Sequence, residues 1–422
     1  MLDIKLIRQN PEKIKKACQD KGAKVDIEAL LKIDEQRRRI IEKTDNLKSE
    51  HNKLSKKVPC LVGQEREEII SRAKELAAEI QKGEKELAGA EKEFNRLILS
   101  IPNPALSNVK AGKDETENTV IKKWGEIPKF NFKPKDHLQI GQELDLIDVE
   151  RAGKVSGSRF SYLKNQAARL EYALVQFVFD FLSRKGFIPV VPPVMIKEKA
   201  MRAMGYLERG GEEVYQTAKD DFYLVGTAEQ SVGPMHLDEI FEMKDLPRRY
   251  VAFSTCFRRE AGSHGQDVKG ILRAHQFDKV EMFSFCLPEK SADEHKFLLQ
   301  MEEEMVQALR IPYQVVEMCT GDLGDPAAAK YDIECWLPGQ NRYRETHSTS
   351  NCTDFQARRL GVRFRNKDGK PEFVHTLNGT AFAIGRILIA ILENCQQKDG
   401  SVKVPRVLQK ISGIKKIQKN GK

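Results

Sequence analysis

Between Asp26 and Leu99 apolar residues recur at alternating intervals of three and four. Ile33, Ile40, Leu47 and Leu54 repeat every seven residues, with Leu30, Arg37, Thr44 and His51 at the companion positions. After a breaker segment from Val58 to Gly63, Ile69, Ala73, Leu76, Ile80, Gly83, Leu87, Ala90, Phe94 and Leu97 continue in unbroken spacing, and the other faces are nearly all Lys, Glu, Arg and Gln. The pattern predicts two long heptad helices closed into an antiparallel hairpin over residues 26–99. Roughly 30 residues per helix would span on the order of 45 Å. Asp26 is placed to cap the first helix, and Asn10-Pro11-Glu12 opens a shorter basic helix that stops at Gly22. Such a hairpin buries a single stripe, so it must pack on a partner or project from something larger. As a pattern alone it is more often an oligomerisation or spacer element than an RNA-binding arm.

Ile101-Pro102-Asn103-Pro104 ends the second helix, and Ser107 to Thr119 is polar and turn-rich. Beyond Trp124 short strand and helix patterns mix without a βαβ repeat, which predicts an α+β domain built on an antiparallel sheet. The expected organisation is a helical arm over 1–105, a linker over 106–123, a catalytic-sized domain over 124–412 and a disordered basic tail over 413–422. Lys185 to Met195 reads as a helix end, a turn at Gly186 and an extended segment whose prolines confine it to a sheet edge, suited to a dimer interface. Leu377 to Asn394 reads as one buried helix, apolar on nearly every side, with Asn378-Gly379-Thr380 at its start and Arg386 as its one cation.

Charge and composition narrow the class. The chain of 422 residues is 40% hydrophobic and 32% charged, too apolar for disorder and too polar for a membrane protein. Its net charge is +9, but seven Lys and Arg and no acid fall in residues 401–422, so the excess is largely a property of the tail. Residues 1–24 are lysine-studded and lack the apolar stretch of a secretory signal. Eight scattered cysteines without a CxxC pair argue against a structural zinc site and a disulfide framework, and suit a reducing cytoplasm. Neither GxxxxGK[ST] nor a GxGxxG turn is present.

Candidate chemistry concentrates on two strand-like segments, Ser254–Glu260 and His275–Phe285, joined by a loop carrying Gly262, Gly265 and Gly270. Alternation puts Arg258 and Glu260 on one face of the first, and Phe277 and Glu281 on one face of the second. A guanidinium, carboxylates and an aromatic plane on one sheet face can hold a phosphate, an amino group and a purine. The same residues would also serve an exposed sheet laced with cross-strand ion pairs. Arg386 has a similar pair of readings, an internal salt bridge or a ligand contact.

Taken together these segments resemble the three signature motifs of class II aminoacyl-tRNA synthetases, and in particular the seryl-tRNA synthetase family. The first motif pattern ends at Pro193. The second is Cys256-Phe257-Arg258-Arg259-Glu260 through Glu281, with Ala261-Gly262-Ser263 and His275-Gln276-Phe277-Asp278-Lys279-Val280-Glu281. The third is Gly385-Arg386. Gly226-Thr227-Ala228-Glu229, Thr320-Gly321-Asp322, Asp354-Phe355-Gln356-Ala357-Arg358-Arg359 and His375-Thr376-Leu377-Asn378-Gly379-Thr380 match the seryl family as well, and the resemblance spans all but the last ten or so residues.

The resemblance implies the activation of L-serine by ATP and transfer of the seryl group to tRNA(Ser), by a homodimer with no membrane or DNA partner. Whether tRNA(Sec) is also charged stays open. It assigns Arg258 to the α-phosphate and the serine side, Arg386 to the terminal phosphate, Glu260 and Arg259 to ATP, and Phe277 to the purine. Glu345 and Ser348 would hold Mg²⁺, with Thr346 and His347 beside ATP. Thr227, Ala228, Glu229, Glu281 and Thr380 would bind serine. Arg37, Arg38, Arg39, Lys48, Lys53, Lys56 and Lys57 on the arm would meet tRNA phosphates. After Glu345 a common bacterial form reads Ile-Ser-Ser-Cys-Ser-Asn, whereas this chain reads Thr346-His347-Ser348-Thr349-Ser350-Asn351, which leaves His347 a packing role as the alternative. Two rivals are a non-catalytic paralogue, which should have lost Arg258, Glu260 or Arg386, and a carrier-protein-loading relative, which should lack the long arm. This chain has all four features.

Overall fold

The computed structural model describes residues 1–261 and 270–419 and divides into two compact units, residues 2–102 and a second formed by residues 103–419 together with Met1. Gly262, Ser263 and Gly265 of the expected glycine loop, and positions 420–422 of the tail, lie outside the described residues.

In the first unit, two short helices, Ile4–Gln9 and Pro11–Asp20, precede helix α1 (Ile27–Lys57) and helix α2 (Gln64–Leu99). Asp26 caps α1 as expected, its side chain accepting from the Ala29 amide at 2.9 Å. The heptad stripe is the seam: Leu30 and Thr44 of α1 and Leu76, Ala90, Phe94 and Leu97 of α2 are buried, while the faces between them are exposed. Helix spacing narrows at Gly83, where a Cβ would stand 2.6 Å from the Thr44 hydroxyl. The hairpin turns through a single 3-10 turn, Val58–Cys60, whose cysteine is exposed.

The second unit is built on an eight-stranded sheet. Its strands are β1 (Thr119–Trp124), β2 (Ile188–Val190), β3 (Arg248–Phe257), β4 (Gln276–Cys286), β5 (Tyr313–Glu317), β6 (Ala329–Leu337), β7 (Arg342–Asn351) and β8 (His375–Ala383), in the order β1-β5-β6-β7-β8-β4-β3-β2. All neighbours are antiparallel except β2 and β3. Helices α3 (Asn165–Ser183), α4 (Ser291–Leu309) and α5 (Ile384–Asn394) contribute the main apolar core with Val280, Met282, Ile333, Leu377 and Phe382 of the sheet. The opposite face of the central strands carries a second apolar cluster, with Tyr250, Ala252, Phe283 and Phe285, and beside it a polar cleft.

Four expectations need correction. Residues 106–123 are no linker: Leu106 donates to the Ala328 carbonyl, β1 forms a sheet edge, and Gly321 comes so near that a Cβ there would lie 2.1 Å from the Lys113 carbonyl oxygen. The tail is ordered through the described residues, because Lys416–Ile417 pairs with Val402–Lys403 and buries Ile414 and Ile417. The expected helix Leu377–Asn394 is strand β8 followed by α5, so Thr380 stands on a strand rather than at a helix start. Alternation of Thr376, Asn378 and Thr380 with Leu377, Gly379 and Ala381 is the period-two signal, overshadowed by the apolar run after it. Finally, β3 ends at Phe257, and Glu260 adopts a left-handed φ of 51°.

Candidate active site

Strand alternation builds the floor of the cleft. Phe277, Lys279 and Glu281 share one face of β4, Thr380 pairs directly with Glu281, and Asn378 follows two residues away on β8. Two further members come from β7. Ser348 and Glu345 are three residues apart and would point to opposite faces of a regular strand. The register shifts between Ile333 and Glu334 of β6, so Thr346 is a bulge and both Glu345 and Ser348 line the cleft. The Thr346 hydroxyl secures the bulge by donating to the Ile333 carbonyl at 3.2 Å.

Three adjoining cavities share this floor, and Arg258 and Glu345 line all of them. The first, of about 480 Å³, includes Thr227, Glu229, Glu281, Ser348 and Thr380. A second of about 710 Å³ includes Glu260, Arg273 and Arg386. A narrow third, about 60 Å³, lies against Phe277. The Arg258 Cζ is 5.5 Å from the Phe277 ring centre, and its Nε donates to the Gly226 carbonyl at 3.1 Å. Arg273 approaches the Glu260 carboxylate at 3.4 Å.

Electrostatics separate the two ends of the cleft. At the first cavity, Glu229 and Glu281 are buried together; Thr227 donates to Glu281 at 3.2 Å, Lys279 pairs with Glu281, and the Tyr206 hydroxyl donates to Glu229. Burial, reinforced by the negative charge of Glu281, pushes the Glu229 carboxyl up to about 7. Near the second cavity, Arg386 reaches both the Glu345 carbonyl at 3.0 Å and its carboxylate at 3.1 Å. Enclosure raises the Glu345 carboxyl, but Arg386, Lys330 and Arg258 outweigh that and hold it down at about 2. Its side chain is still 46% exposed to the cleft, so the carboxylate is ionised and reachable.

Three expected members do not reach the cleft. His347 pairs with Ile333 on the core face, fully buried, edge-on to Phe382, with burial lowering its pKa to about 3. It packs as a neutral ring. Arg259 lies over the Tyr215 ring, 5.7 Å from its centre, and lines none of the three cavities. Ala228 is buried behind its neighbours. Thr346 borders only the narrow cavity, its hydroxyl turned to the backbone.

Sequence reasoning missed Tyr206, Lys279, Asn378, Lys330, Asp332 and Glu302. Lys279 and Asn378 were readable by extending the alternation one step. Asp332 is buried, pushed up to about 7 against the pull of Lys330, and Glu302 on α4 lies under Gly379 with burial raising its carboxyl well above the usual range. No sequence signal distinguishes these acids from surface ones.

On the arm, Arg37 is occupied within the seam, its guanidinium 4.6 Å from the Phe94 ring centre and beside Asp34 and Glu91. Arg38 pairs with Asp34, Arg39 with Glu35 and Lys48 with Glu84. Lys53, Lys56 and Lys57 are exposed and make no ion pair among the described residues.

The largely antiparallel sheet with an Arg- and Glu-lined cleft on one face is a class II synthetase core: residues 213–395 match the family described as tRNA synthetase class II core domain (G, H, P, S and T). Residues 1–105 match the seryl-tRNA synthetase N-terminal domain. A serine–tRNA ligase of Dictyoglomus turgidum is 45% identical, with 99% of each chain covered. The crystal structure of seryl-tRNA synthetase from Pyrococcus horikoshii complexed with ATP superposes over 100% of both chains with a TM-score of 0.90 at 41% identity. A Giardia lamblia prolyl-tRNA synthetase shares the fold over 64% of this chain, with a TM-score of 0.56 at 14% identity. The chain belongs to the seryl-tRNA synthetase family.

Proposed function

We propose that this protein activates L-serine with ATP, giving seryl-adenylate and pyrophosphate, and transfers the seryl group to the 3′-terminal ribose of tRNA(Ser). The observation that carries the reading is one cleft, crossed by Arg258, with the buried carboxyls of Glu229 and Glu281 at one end and the guanidiniums of Arg273 and Arg386 at the other. Serine's ammonium suits Glu229 and Glu281, and its hydroxyl suits Thr380 and the Glu281 carboxylate. Purine stacking suits the slot against Phe277, with Glu260 at the adenine edge. The serine carboxylate attacks the α-phosphorus, the bond to the bridging oxygen breaks, and pyrophosphate leaves with its electron pair. Arg258 and Arg386 are placed to meet the charge that spreads over the phosphoryl oxygens. No protein nucleophile is needed.

The donor set fits Mg²⁺. Glu345 offers an ionised carboxylate and Ser348 a hydroxyl, hard oxygen ligands on one wall, while a buried oxygen of Asp332 beside them has no hydrogen-bond partner. Bound there with ATP, the ion would neutralise phosphate charge. A homodimer is supported by edge strand β2 and the segment that follows it, where Ile188, Val191 and Met195 are exposed. No helix among the described residues is long and apolar enough to cross a membrane. A cytoplasmic location suits the free cysteines. Exposed Lys53, Lys56 and Lys57 support tRNA contact at the outer end of the arm.

Amino-acid-dependent pyrophosphate exchange across all twenty amino acids tests the reading, with serine expected to stand alone. Arg258→Ala should cut serine-dependent exchange by about 10²-fold or more, the scale of losing one charge-stabilising donor, with the thermal midpoint within a few degrees of wild type. Exchange with no amino acid would sink the proposal.

A further inference from the structure

A hydroxyl that gives a lone pair to a cation must send its own proton elsewhere, and the direction of that proton is set by the acceptor behind it. Ser348 stands directly opposite Asp332 in the β6–β7 register, on the cleft face. Ser348 lines the first cavity, whereas Asp332 is only 4% exposed and lies beneath it. The Ser348 hydroxyl and the Asp332 carboxylate are therefore direct cross-strand neighbours on one face of the sheet. Asp332 Oδ1 makes no hydrogen bond, and its nearest cation, Lys330 Nζ, is 3.5 Å away. A buried carboxylate oxygen left without a donor is costly, so its persistence calls for a use.

We propose that Asp332 is the positioning residue for Ser348: it takes the hydroxyl hydrogen bond, so that the oxygen lone pairs of Ser348 face a divalent cation shared with Glu345. Lys330, two residues back on the same face of β6, offsets the second negative charge that Asp332 adds beside Glu345. The orphaned Oδ1 is then the acceptor that the Ser348 proton fills when a cation draws the lone pairs outward. Partners behind metal ligands commonly change metal affinity by about 10- to 100-fold. This inference rests on the Glu345 and Ser348 metal reading above.

The test is Mn²⁺ binding by the full-length protein with a non-hydrolysable ATP analogue, followed by electron paramagnetic resonance, with the thermal midpoint recorded in parallel. Asp332→Ala should raise the Mn²⁺ midpoint by about tenfold or more. Asp332→Asn keeps an acceptor oxygen and should recover most of that loss. Ser348→Ala combined with Asp332→Ala should bind no worse than Ser348→Ala alone, because both act through one oxygen. A drop in thermal midpoint with an unchanged Mn²⁺ midpoint in Asp332→Ala overturns the assignment, as do additive losses in the double variant. If Glu345→Gln and Ser348→Ala both leave Mn²⁺ binding untouched, the metal site itself is wrong and Asp332 falls with it.

Discussion

Glu229 is a buried carboxyl held near neutrality by burial and by Glu281, so its charge changes within the working range of an enzyme. Its ionised form attracts the ammonium of serine, and its protonated form does not. As pH falls through about 7 a proton is gained and that attraction is lost; above it the attraction is complete. The KM for serine in pyrophosphate exchange should therefore fall between about pH 6 and about pH 8, by up to tenfold per pH unit on the acid side. The KM for ATP should stay within about twofold. Glu229→Gln should give a flat serine profile, and a flat profile in wild type would remove Glu229 from ammonium recognition. Among single residues, Arg258, Glu260, Phe277, Glu281 and Arg386 were legible because each stands in a short string of characteristic order, whereas Tyr206, Lys330, Asp332 and Glu302 stand in none. His347 was assigned to ATP from its position beside Glu345, and the side of the strand it occupies could not be read there. One inserted residue, Thr346, inverts the facing of everything on one side of it.

At the scale of elements, the helices of the arm were legible throughout, because a heptad stripe states both the element and the face it buries. The strand and helix around Thr380 were less so, since a fully apolar helix drowns the weaker alternation before it. The bulge in β7 leaves no mark in composition and follows only from pairing with β6, a partner set by the whole sheet. Within the arm, Gly83 is the close point, with Thr44 filling the space a side chain would need. In an exposed helix a glycine replacement should gain about 1 kcal/mol in propensity. Here Gly83→Leu should lower the arm's own melting transition instead, because helices held apart at one layer lose the layers beside it. Hydrogen exchange over 40–90 should rise while serine-dependent pyrophosphate exchange is kept. A more protected arm would mean that the seam at Thr44 has slack.

For the molecule as a whole, two units with separate cores imply separable duties. Replacing about Arg37 to Leu87 by a short linker should leave adenylate formation near normal and abolish most tRNA charging. Paired cations such as Arg39 and Lys48 can exchange a carboxylate for a phosphate at small net gain, since exposed ion pairs are worth little. The unpaired lysines near the turn should contribute most. Lys53→Gln, Lys56→Gln and Lys57→Gln together should weaken tRNA binding and reduce the slope of log affinity against log salt by about 2 to 3. Unchanged binding and slope would make the arm a spacer. The same turn carries Cys60, exposed, whereas Cys18, Cys256, Cys286, Cys319, Cys335 and Cys352 are buried and Cys395 is half-buried with its thiol pushed up to about 11. A maleimide dye should therefore attach at Cys60 ahead of every other thiol. The native sequence thus carries its own attachment point for an optical reporter at the outer end of the hairpin, three residues from Lys57, where the arrival of an RNA would be seen as a change in the dye's emission.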